Sequence, residues 1–382
     1  MTPPVSMPLE DIVETKTVQV GTAESRPGEI VYGWFDLAQL PTGHVERLPV
    51  IIAQGREPGP VFWFTANIHG DELTGMAAIH DVVKPDLLEN LRGTVVAIPS
   101  LNPAGLRTVR RVPYFESQDP NRSFPGYTGP VSDPVTAERQ QHPPSIYDLA
   151  MERLFQDIHS TADYLVDLHC YGLQSSSFTI RDRVLYHKEE ELPTANSLYR
   201  QMDEMCRAFG LPVVNESEAG RYVDQKLHRS TSGAALNEAR IPAITVELGL
   251  IGGVDPDALS AGRTGLYNVL KWAGMLPGEP EKIISVPVPE VPFSTRRENS
   301  PRARASGILR YHVRPGDIVS EGDLIGTLTD IFGTPVPEFS EIRAESDGWI
   351  ISLSRGAICY QGQTVTNMAM RDDAPMVEPF PA

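Results

Sequence analysis

Continuous apolar runs alternate with segments of helical spacing through much of the chain. Continuous apolar runs of strand length cover 61–66 and 93–99, and two further strands are predicted over 162–169 and 241–249. Apolar residues recur with helical periodicity in the segments 71–83, 146–160, 193–209 and 257–274. Strands that are apolar on both faces and alternate with helices indicate an α/β fold, with a mostly parallel or mixed sheet flanked by helices.

The pattern changes near residue 277. Prolines with mixed charges between them occupy 277–303, which predicts an extended linker. Beyond it, short apolar runs punctuated by glycine predict an all-β unit with tight turns. We therefore predict an α/β domain over 1–276 that begins with N-terminal strands, a proline-rich linker over 277–303, and a smaller all-β domain over 304–382.

One connection is unusually long. Residues 107–145 carry seven prolines between Pro113 and Pro144, both included, with Phe, Tyr and Arg among them. Long ordered loops are often binding loops or lids, and the alternative is a disordered linker. The interleaved aromatic and basic residues favour the binding loop.

Composition narrows the class of partner. The formal charge of −17 argues against nucleic acid, because phosphate binding needs a basic surface. No apolar run is long enough to span a membrane, and the N-terminus has no signal-peptide pattern. Three scattered cysteines give no disulfide framework. A cytoplasmic enzyme or binding protein with a small-molecule partner is expected, possibly as a homo-oligomer.

Four residues with metal-binding or acid–base side chains fall at one place in the predicted architecture. His69, His169 and Glu247 lie at or just past the carboxyl ends of predicted strands, and Glu72 follows His69 by three positions. Ligands of open parallel sheets bind outside those strand ends. Two imidazoles and one carboxylate leave the fourth position of a zinc ion open, as in catalytic zinc sites. We predict one zinc ion per chain, held by His69, Glu72 and His169.

The remaining polar residues suggest hydrolysis. Zinc polarises a carbonyl and lowers the pKa of bound water to roughly 7, and Glu247 is the candidate to accept the proton of that water. Arg111 or Arg110 is the candidate to stabilise a developing oxyanion. Arg122 offers a planar fork for the carboxylate of a substrate. Each arginine has the alternative of an ordinary surface ion pair.

A set of short motifs in a fixed order carries a resemblance to a known family. The motifs are His69-Gly-Asp-Glu72, Asn102-Pro103, Asp119-Pro-Asn-Arg122, Asp167-Leu-His169 and Val246-Glu-Leu-Gly249. With them the chain resembles the succinylglutamate desuccinylase and aspartoacylase family of the zinc carboxypeptidase clan. It looks nearest to the bacterial branch that includes N-acetyl-diaminobutyrate deacetylases.

The resemblance implies specific roles. It implies zinc held by His69, Glu72 and His169, Glu247 as general base and acid, and Asn121 with Arg122 as ligands of the carboxylate of an N-acyl amino acid. An upstream arginine would polarise the scissile carbonyl; Arg111 is preferred, with Arg110 as a neighbouring substrate contact, and the choice between them stays open.

The C-terminal unit resembles a barrel-sandwich hybrid of the biotinyl or lipoyl type. Those carriers need a modified lysine on a hairpin, whereas the last lysine of this chain is Lys282. A shield over the active-site mouth or an assembly surface is therefore expected instead of a carrier arm.

These observations predict a zinc-dependent deacylase of N-acyl amino acids. The alternatives are a metallocarboxypeptidase acting on a peptide C-terminus and a non-catalytic binding protein with the same fold. Acidic residues at Glu216, Glu218 and Asp224 are candidates to contact a cationic side chain of the substrate.

Overall fold

The structure, a computed structural model, describes residues 16–126, 144–354 and 356–381. Much of the long proline-containing loop, 127–143, lies outside the described residues, so the expectation of a binding loop there stays a prediction. The α-helices of the described part are α1 (Thr74–Val82), α2 (Pro103–Thr108), α3 (Ile146–Thr161), α4 (Leu192–Phe209), α5 (Ala219–Asp224), α6 (Thr231–Asn237) and α7 (Pro256–Trp272).

Strands occur along the whole described chain. In chain order they are β1 (Gln19–Val20), β2 (Ala23–Glu24), β3 (Glu29–Gln39), β4 (Val45–Gln54), β5 (Glu57–Ala66), β6 (Arg92–Ile98), β7 (Tyr164–His169), β8 (Phe178–Arg181), β9 (Val184–Tyr186), β10 (Val213–Asn215), β11 (Ala243–Glu247), β12 (Thr295–Asn299), β13 (Gly307–Tyr311), β14 (Ile318–Val319), β15 (Leu324–Thr329), β16 (Glu341–Arg343), β17 (Gly348–Leu353), β18 (Ile358–Cys359), β19 (Thr366–Arg371) and β20 (Val377–Pro379).

One large mixed sheet dominates the described residues. Its strand order is β14-β17-β19-β12-β10-β8-β11-β7-β5-β6-β4-β3. At its centre β6, β5, β7 and β11 run parallel, whereas β8 pairs with β11 in the antiparallel sense. Helices cover the sheet, so the α/β prediction is confirmed.

The continuous apolar runs form the middle of this sheet because both of its faces are covered. Phe62, Trp63 and Phe64 are fully buried on β5, and so are Val95 and Val96 on β6. Burial on both faces removes the need for alternation between apolar and polar residues. This explains why the central strands could be recognised from the sequence without a periodic pattern.

The predicted helices are present with small shifts at their ends. α4 ends at Phe209, and the next residue, Gly210, has a φ of 98° in the left-handed region that favours glycine at such a position. α3 begins with a capping box, in which the Ser145 and Asp148 side chains each accept a hydrogen bond from the other residue's backbone N–H. Both helices were expected at these places.

The C-terminal region is rich in strands, as predicted, but these strands belong to two sheets. β13, β15, β16 and β18 form a separate sheet, while β14, β17 and β19 continue the large sheet. The connection is β12, which lies inside the expected linker 277–303 and pairs with β10 on one side and β19 on the other. The three-part division of the chain stays a prediction, with this strand as a structured part of its middle segment.

The last strand returns to the α/β part. β20 pairs in parallel with β9. A buried ion pair of 2.9 Å joins Arg183, just before β9, to Asp372, a few residues before β20.

None of the described helices combines the length and the apolar character needed to cross a membrane.

Candidate active site

Two neighbouring parallel strands deliver candidate residues to the same edge of the sheet. β7 ends at His169 and β11 ends at Glu247, and the two residues are direct partners in the strand register. β5 pairs with the other side of β7 and ends one residue before Asn67. The carboxyl ends of three parallel strands therefore meet, as the sequence predicted.

A tight turn after β5 positions the other two candidates. Asn67 adopts a left-handed backbone with φ of 55°, and its Nδ2 group donates hydrogen bonds to the carbonyl oxygens of His69 and Glu72 at 3.0 and 2.9 Å. A Cβ atom on Gly70 would lie only 2.0 Å from the carbonyl carbon of Gly105. Gly70 is therefore required by the close approach of two backbones. The turn also explains why α1 begins at Thr74 instead of Asp71.

The Asn102-Pro103 motif supports the same turn from a second segment. The Asn102 Nδ2 group donates to the carbonyl oxygens of Ile68 and Arg111, at 3.0 and 3.2 Å. Its Oδ1 atom accepts from the backbone N–H of Gly105, at the start of α2, at 2.7 Å. One buried amide thus ties three segments together beside the site.

His69, Glu72 and His169 form one compact buried group. One possible ligand atom from each residue lies within 4.8 Å of the other two. Glu72 bridges the imidazoles: its Oε1 atom lies 2.7 Å from His69 Nδ1, and its Oε2 atom lies 2.9 Å from His169 Nδ1. All three side chains are 3 or 4% exposed. Two imidazole nitrogens and a carboxylate are suitable ligands for a dication such as zinc.

Further carboxylates orient both imidazoles from behind. Asp167 Oδ2 lies 2.7 Å from His169 Nε2, and Asp119 Oδ1 lies 3.1 Å from His69 Nε2. Asp167 is itself held by the Thr65 hydroxyl, which donates to Oδ1 at 2.6 Å. Metal-binding histidines commonly present one ring nitrogen to the ion and the other to a carboxylate. The Nδ1 atoms are therefore the ones available to a metal ion.

The electrostatics of the group favour positive charge. Burial alone would lower the pKa of His169, but Asp167 and Glu72 outweigh that effect and hold its pKa well above the ordinary value. Burial would raise the pKa of Glu72, but the two imidazoles outweigh it and hold the pKa far below its usual range. A dication would interact favourably with the same anionic surroundings.

The Glu247 carboxyl group is buried at the carboxyl end of β11, where a reacting group would be expected. Its Oε2 atom is buried and accepts no hydrogen bond from any described residue. Burial raises the pKa of Glu247 to about 7, although the neighbouring His169 opposes the rise. A buried carboxyl group with a pKa near neutrality is suited to accept and return a proton.

The two candidate arginines before the Asp119 motif are placed differently. The guanidinium of Arg111 lies 2.7 Å from Asp119 Oδ2 and 3.5 Å from Glu72 Oε1, and its side chain lines the cavity beside the metal candidates. Arg110 is exposed and is absent from the cavity lining. The geometry therefore favours Arg111 for a role at the reacting carbonyl and leaves Arg110 outside the cavity that the described residues line.

The Asp119-Pro-Asn-Arg motif forms a short turn at the cavity. Asp119 accepts a hydrogen bond from the backbone N–H of Asn121 at 2.9 Å. Asn121 Oδ1 accepts from the backbone N–H of Thr231 at 2.9 Å, while its Nδ2 group has no partner among the described residues. Arg122 donates to two backbone oxygens and forms no ion pair within the described chain. Asn121 and Arg122 thus offer free donors along the cavity wall.

The cavity has a volume of about 110 Å³ and includes residues that the sequence analysis missed. Arg297 of β12 lines it and pairs with Glu216, with 2.7 Å between Nη2 and Oε2. The Arg297 guanidinium also lies over the Tyr171 ring, 5.5 Å from its centroid. Asp182, just after β8, completes this part of the wall. Glu218 and Asp224, suggested as substrate contacts, are exposed and outside the cavity lining.

A comparison with known families agrees with the motifs. A sequence model of the succinylglutamate desuccinylase/aspartoacylase catalytic domain matches residues 58–273, which is more than half of the chain. The curated N-alpha-acetyl-L-2,4-diaminobutyric acid deacetylase of Halomonas elongata is 25% identical over 329 residues, covering 84% of this chain and 85% of that protein.

Solved structures show the same fold. A succinylglutamate desuccinylase/aspartoacylase from Rhodobacter sphaeroides superposes with a TM-score of 0.68 at 20% identity, covering 91% of this chain and 96% of the other. The product-bound ectoine utilization protein EutE (DoeB) from Ruegeria pomeroyi gives a TM-score of 0.67 at 21% identity, covering 89% and 95%. The fold is therefore the zinc carboxypeptidase-like α/β fold that the sequence predicted.

Proposed function

Because this chain belongs to the succinylglutamate desuccinylase/aspartoacylase family, we propose that it is a zinc-dependent amidohydrolase that removes the acyl group from an N-acyl amino acid. The observation that carries the proposal is the buried group of His69, Glu72 and His169, which shares one cavity with Glu247. The Oε2 atom of Glu247 accepts no hydrogen bond from the described residues. The named relative from Halomonas elongata is a deacetylase of such a substrate.

The residues present fit a zinc ion. His69 and His169 would supply Nδ1 atoms and Glu72 a carboxylate oxygen, while Asp119 and Asp167 fix the rings. When bound, the ion supplies Lewis acidity toward the carbonyl and increases the acidity of water. Three protein ligands are the number found in catalytic zinc sites, where the fourth position stays open.

Glu247 moves the proton in this proposal. It accepts a proton from the attacking water and then donates it to the departing amine nitrogen. Its free Oε2 atom provides the acceptor, and a pKa of about 7 allows both directions of transfer near neutral pH. General acid–base catalysis of this kind contributes about 10²- to 10⁴-fold to a rate.

Arginines hold the two negative charges of the reacting substrate. Arg111 lies beside Glu72 and Asp119, where its guanidinium stabilises the oxyanion that develops from the amide carbonyl. Arg122 has remaining donors for the substrate carboxylate, and the Asn121 Nδ2 group adds a further donor. Burial lowers the pKa of Arg122, so an anionic ligand is a favourable partner for this cation.

The size of the cavity, as the described residues line it, favours a small substrate over a peptide. Its volume is about 110 Å³, and Arg297 from β12 closes part of the wall. A metallocarboxypeptidase would need a groove that extends over several residues of a peptide chain. The same hydrolytic residues therefore support deacylation of a single amino acid better than removal of a C-terminal residue.

Hydrolysis of a substrate panel tests the proposal. N-acetyl amino acids, N-succinyl amino acids and blocked dipeptides are compared, each with and without a metal chelator. We expect release of free amino acid from one of the N-acyl amino acid classes, with loss of activity after chelation. Cleavage of peptides alone would favour the carboxypeptidase, and absence of all hydrolysis by zinc-loaded protein would favour the binding protein.

A further inference from the structure

Arg122, the residue proposed to hold the substrate carboxylate, has no carboxylate in ion-pair contact among the described residues. Its guanidinium lies in the cavity wall and donates to the backbone oxygens of Gln225 and Asn121, at 2.9 and 2.6 Å. These two contacts fix the direction of the planar group without neutralising its charge. The remaining N–H groups of Arg122 are therefore available to an anionic ligand.

A second anion of the same cavity can compete for these donors. Glu216 lines the cavity together with Arg122 and is only 3% exposed. Its charge already acts on Arg122: burial lowers the pKa of this guanidinium, and Asp119 and, more weakly, Glu216 oppose the effect. Opposite charges attract strongly where water is largely excluded. A Glu216 carboxylate without another partner would therefore compete with the substrate for Arg122.

Arg297 of β12 binds the Glu216 carboxylate. β10 and β12 run parallel with Asn215 opposite Arg296, so Glu216 and Arg297 are the next pair along the two chain segments. The Arg297 Nη2 group donates to Glu216 Oε2 at 2.7 Å. The backbone N–H of Ser217 donates to Glu216 Oε1 at 2.8 Å. Both oxygens of this carboxylate are thus occupied.

The Arg297 side chain is itself held by contacts that reach the C-terminal strands. Its guanidinium lies over the Tyr171 ring, and the Tyr171 hydroxyl donates to Asn367 of β19 at 3.2 Å. β19 is also the strand that pairs with β12. Burial alone would lower the pKa of Arg297, but Glu216, with smaller contributions from Tyr171 and Glu247, raises it. Arg297 therefore stays charged and keeps its pair with Glu216.

We propose that Arg297 is a positioning residue for substrate binding. By pairing with Glu216 it keeps this carboxylate from pairing with Arg122, so that Arg122 remains free for the carboxylate of the substrate. The inference rests on the proposed function and adds to it a residue from the segment that joins the α/β part to the C-terminal strands. Arg297 acts here through Glu216 and not on the reacting atoms.

Substitution of Arg297 tests the inference through separate values of kcat and KM. In Arg297→Gln the Glu216 carboxylate loses its cation and pairs with Arg122 instead. We expect KM for the N-acyl amino acid that the wild type hydrolyses to rise by about tenfold or more, with kcat changed by less than about threefold. The control is Arg296→Gln on the same strand, because Arg296 pairs with Glu218 and is absent from the cavity lining. Its KM should equal that of the wild type.

Removal of Glu216 distinguishes this role from a merely structural ion pair. Glu216→Gln alone should leave KM within about threefold of the wild type, because no competing anion remains. The double variant Arg297→Gln/Glu216→Gln should return KM to the same range of about threefold. An ion pair that only stabilised the fold would be damaged by either single substitution, and the double variant would stay impaired.

The outcomes separate the inference from the proposed function. With a wild type that hydrolyses N-acyl amino acids, the inference is overturned by an unchanged KM in Arg297→Gln, by an equal rise of KM in Glu216→Gln, or by a double variant that does not recover. If Arg297→Gln alone yields no folded protein, the double variant decides, because an elevated KM there overturns the inference and a wild-type KM supports it. Absence of hydrolysis by the wild type would overturn the proposed function itself, and the inference with it.

Discussion

Replacement of Glu247 by glutamine separates catalysis from stability at one buried position. Glutamine keeps the size of the side chain and removes the proton acceptor. We expect Glu247→Gln to keep its metal and to lose about 10²- to 10⁴-fold in kcat, which corresponds to about 3 to 5 kcal/mol of transition-state stabilisation. The assay is the rate of amino-acid release, with metal content measured on the same sample.

The same substitution should stabilise the metal-free protein. Folding raises the pKa of Glu247 from 4.5 to about 7. The folded state therefore binds the proton more tightly, and ionisation of Glu247 opposes folding increasingly as the pH rises from about 4.5 to about 7. At about pH 8 we expect the free energy of unfolding of Glu247→Gln to exceed that of the wild type by about 1 to 3 kcal/mol, with no difference below about pH 4.5. Denaturant titrations at both pH values measure it.

Glu72→Gln provides a matched control, because the expected change in the free energy of unfolding has the opposite sign. It is also a buried glutamate, but both oxygens are bound by imidazoles and its pKa is lowered. Glu72→Gln should therefore destabilise the metal-free protein near neutral pH and impair metal binding.

Wild-type turnover in Glu247→Gln would remove Glu247 from the mechanism. A loss of stability in Glu247→Gln at about pH 8 would refute the reasoning from burial.

Two further predictions compare neighbouring residues. Arg122→Lys should raise KM by about tenfold or more, because lysine lacks the planar fork for a carboxylate. Arg110→Lys should leave kcat and KM unchanged. Similar KM values in both variants would contradict the assignment of Arg122 to the substrate carboxylate. Asp372→Ala should lower the free energy of unfolding by about 3 to 5 kcal/mol, because it leaves Arg183 buried without a charge partner. Asp373→Ala breaks an exposed pair and should cost less than about 1 kcal/mol in the same urea titration, so equal losses would count against the buried-pair explanation.

The metal candidates could be predicted from sequence because their positions follow from local patterns. Continuous apolar runs define the central strands, and the residues that end parallel strands share one edge of the sheet. His169 and Glu247 are such residues, and His69 follows the neighbouring strand by three positions. Asp119, which contacts the outer ring nitrogen of His69, could be placed only approximately from sequence. The sequence predicts no more than that its motif lies near the same edge of the sheet.

The choice between Arg110 and Arg111 could not be made from sequence. Both lie just after α2 in an irregular segment, where no periodicity distinguishes the two side chains. The structure distinguishes them because the Arg111 carbonyl is bound by Asn102 and its guanidinium by Asp119. These contacts join residues only eight or nine positions apart, but they run across irregular turns, where periodicity carries no information about side-chain direction.

Arg297 was missed for a related reason. Its strand has the sequence Thr-Arg-Arg-Glu-Asn, without apolar alternation, and it follows a run of prolines that resembles a linker. The strand exists because β10 and β19 pair with its two edges. Asp182 had a clearer signal: the run Arg181-Asp182-Arg183 interrupts an otherwise apolar stretch, and in the structure it falls where β8 ends and before β9 begins.

Titration of metal-free protein with zinc tests most directly whether His69, Glu72 and His169 hold one catalytic ion. Hydrolysis should be absent at first, rise in proportion to added zinc and level off at about one equivalent per chain, and His169→Ala should recover little activity at that amount. Full activity of the metal-free wild type, or wild-type recovery by His169→Ala at one equivalent, would contradict a catalytic metal at this site.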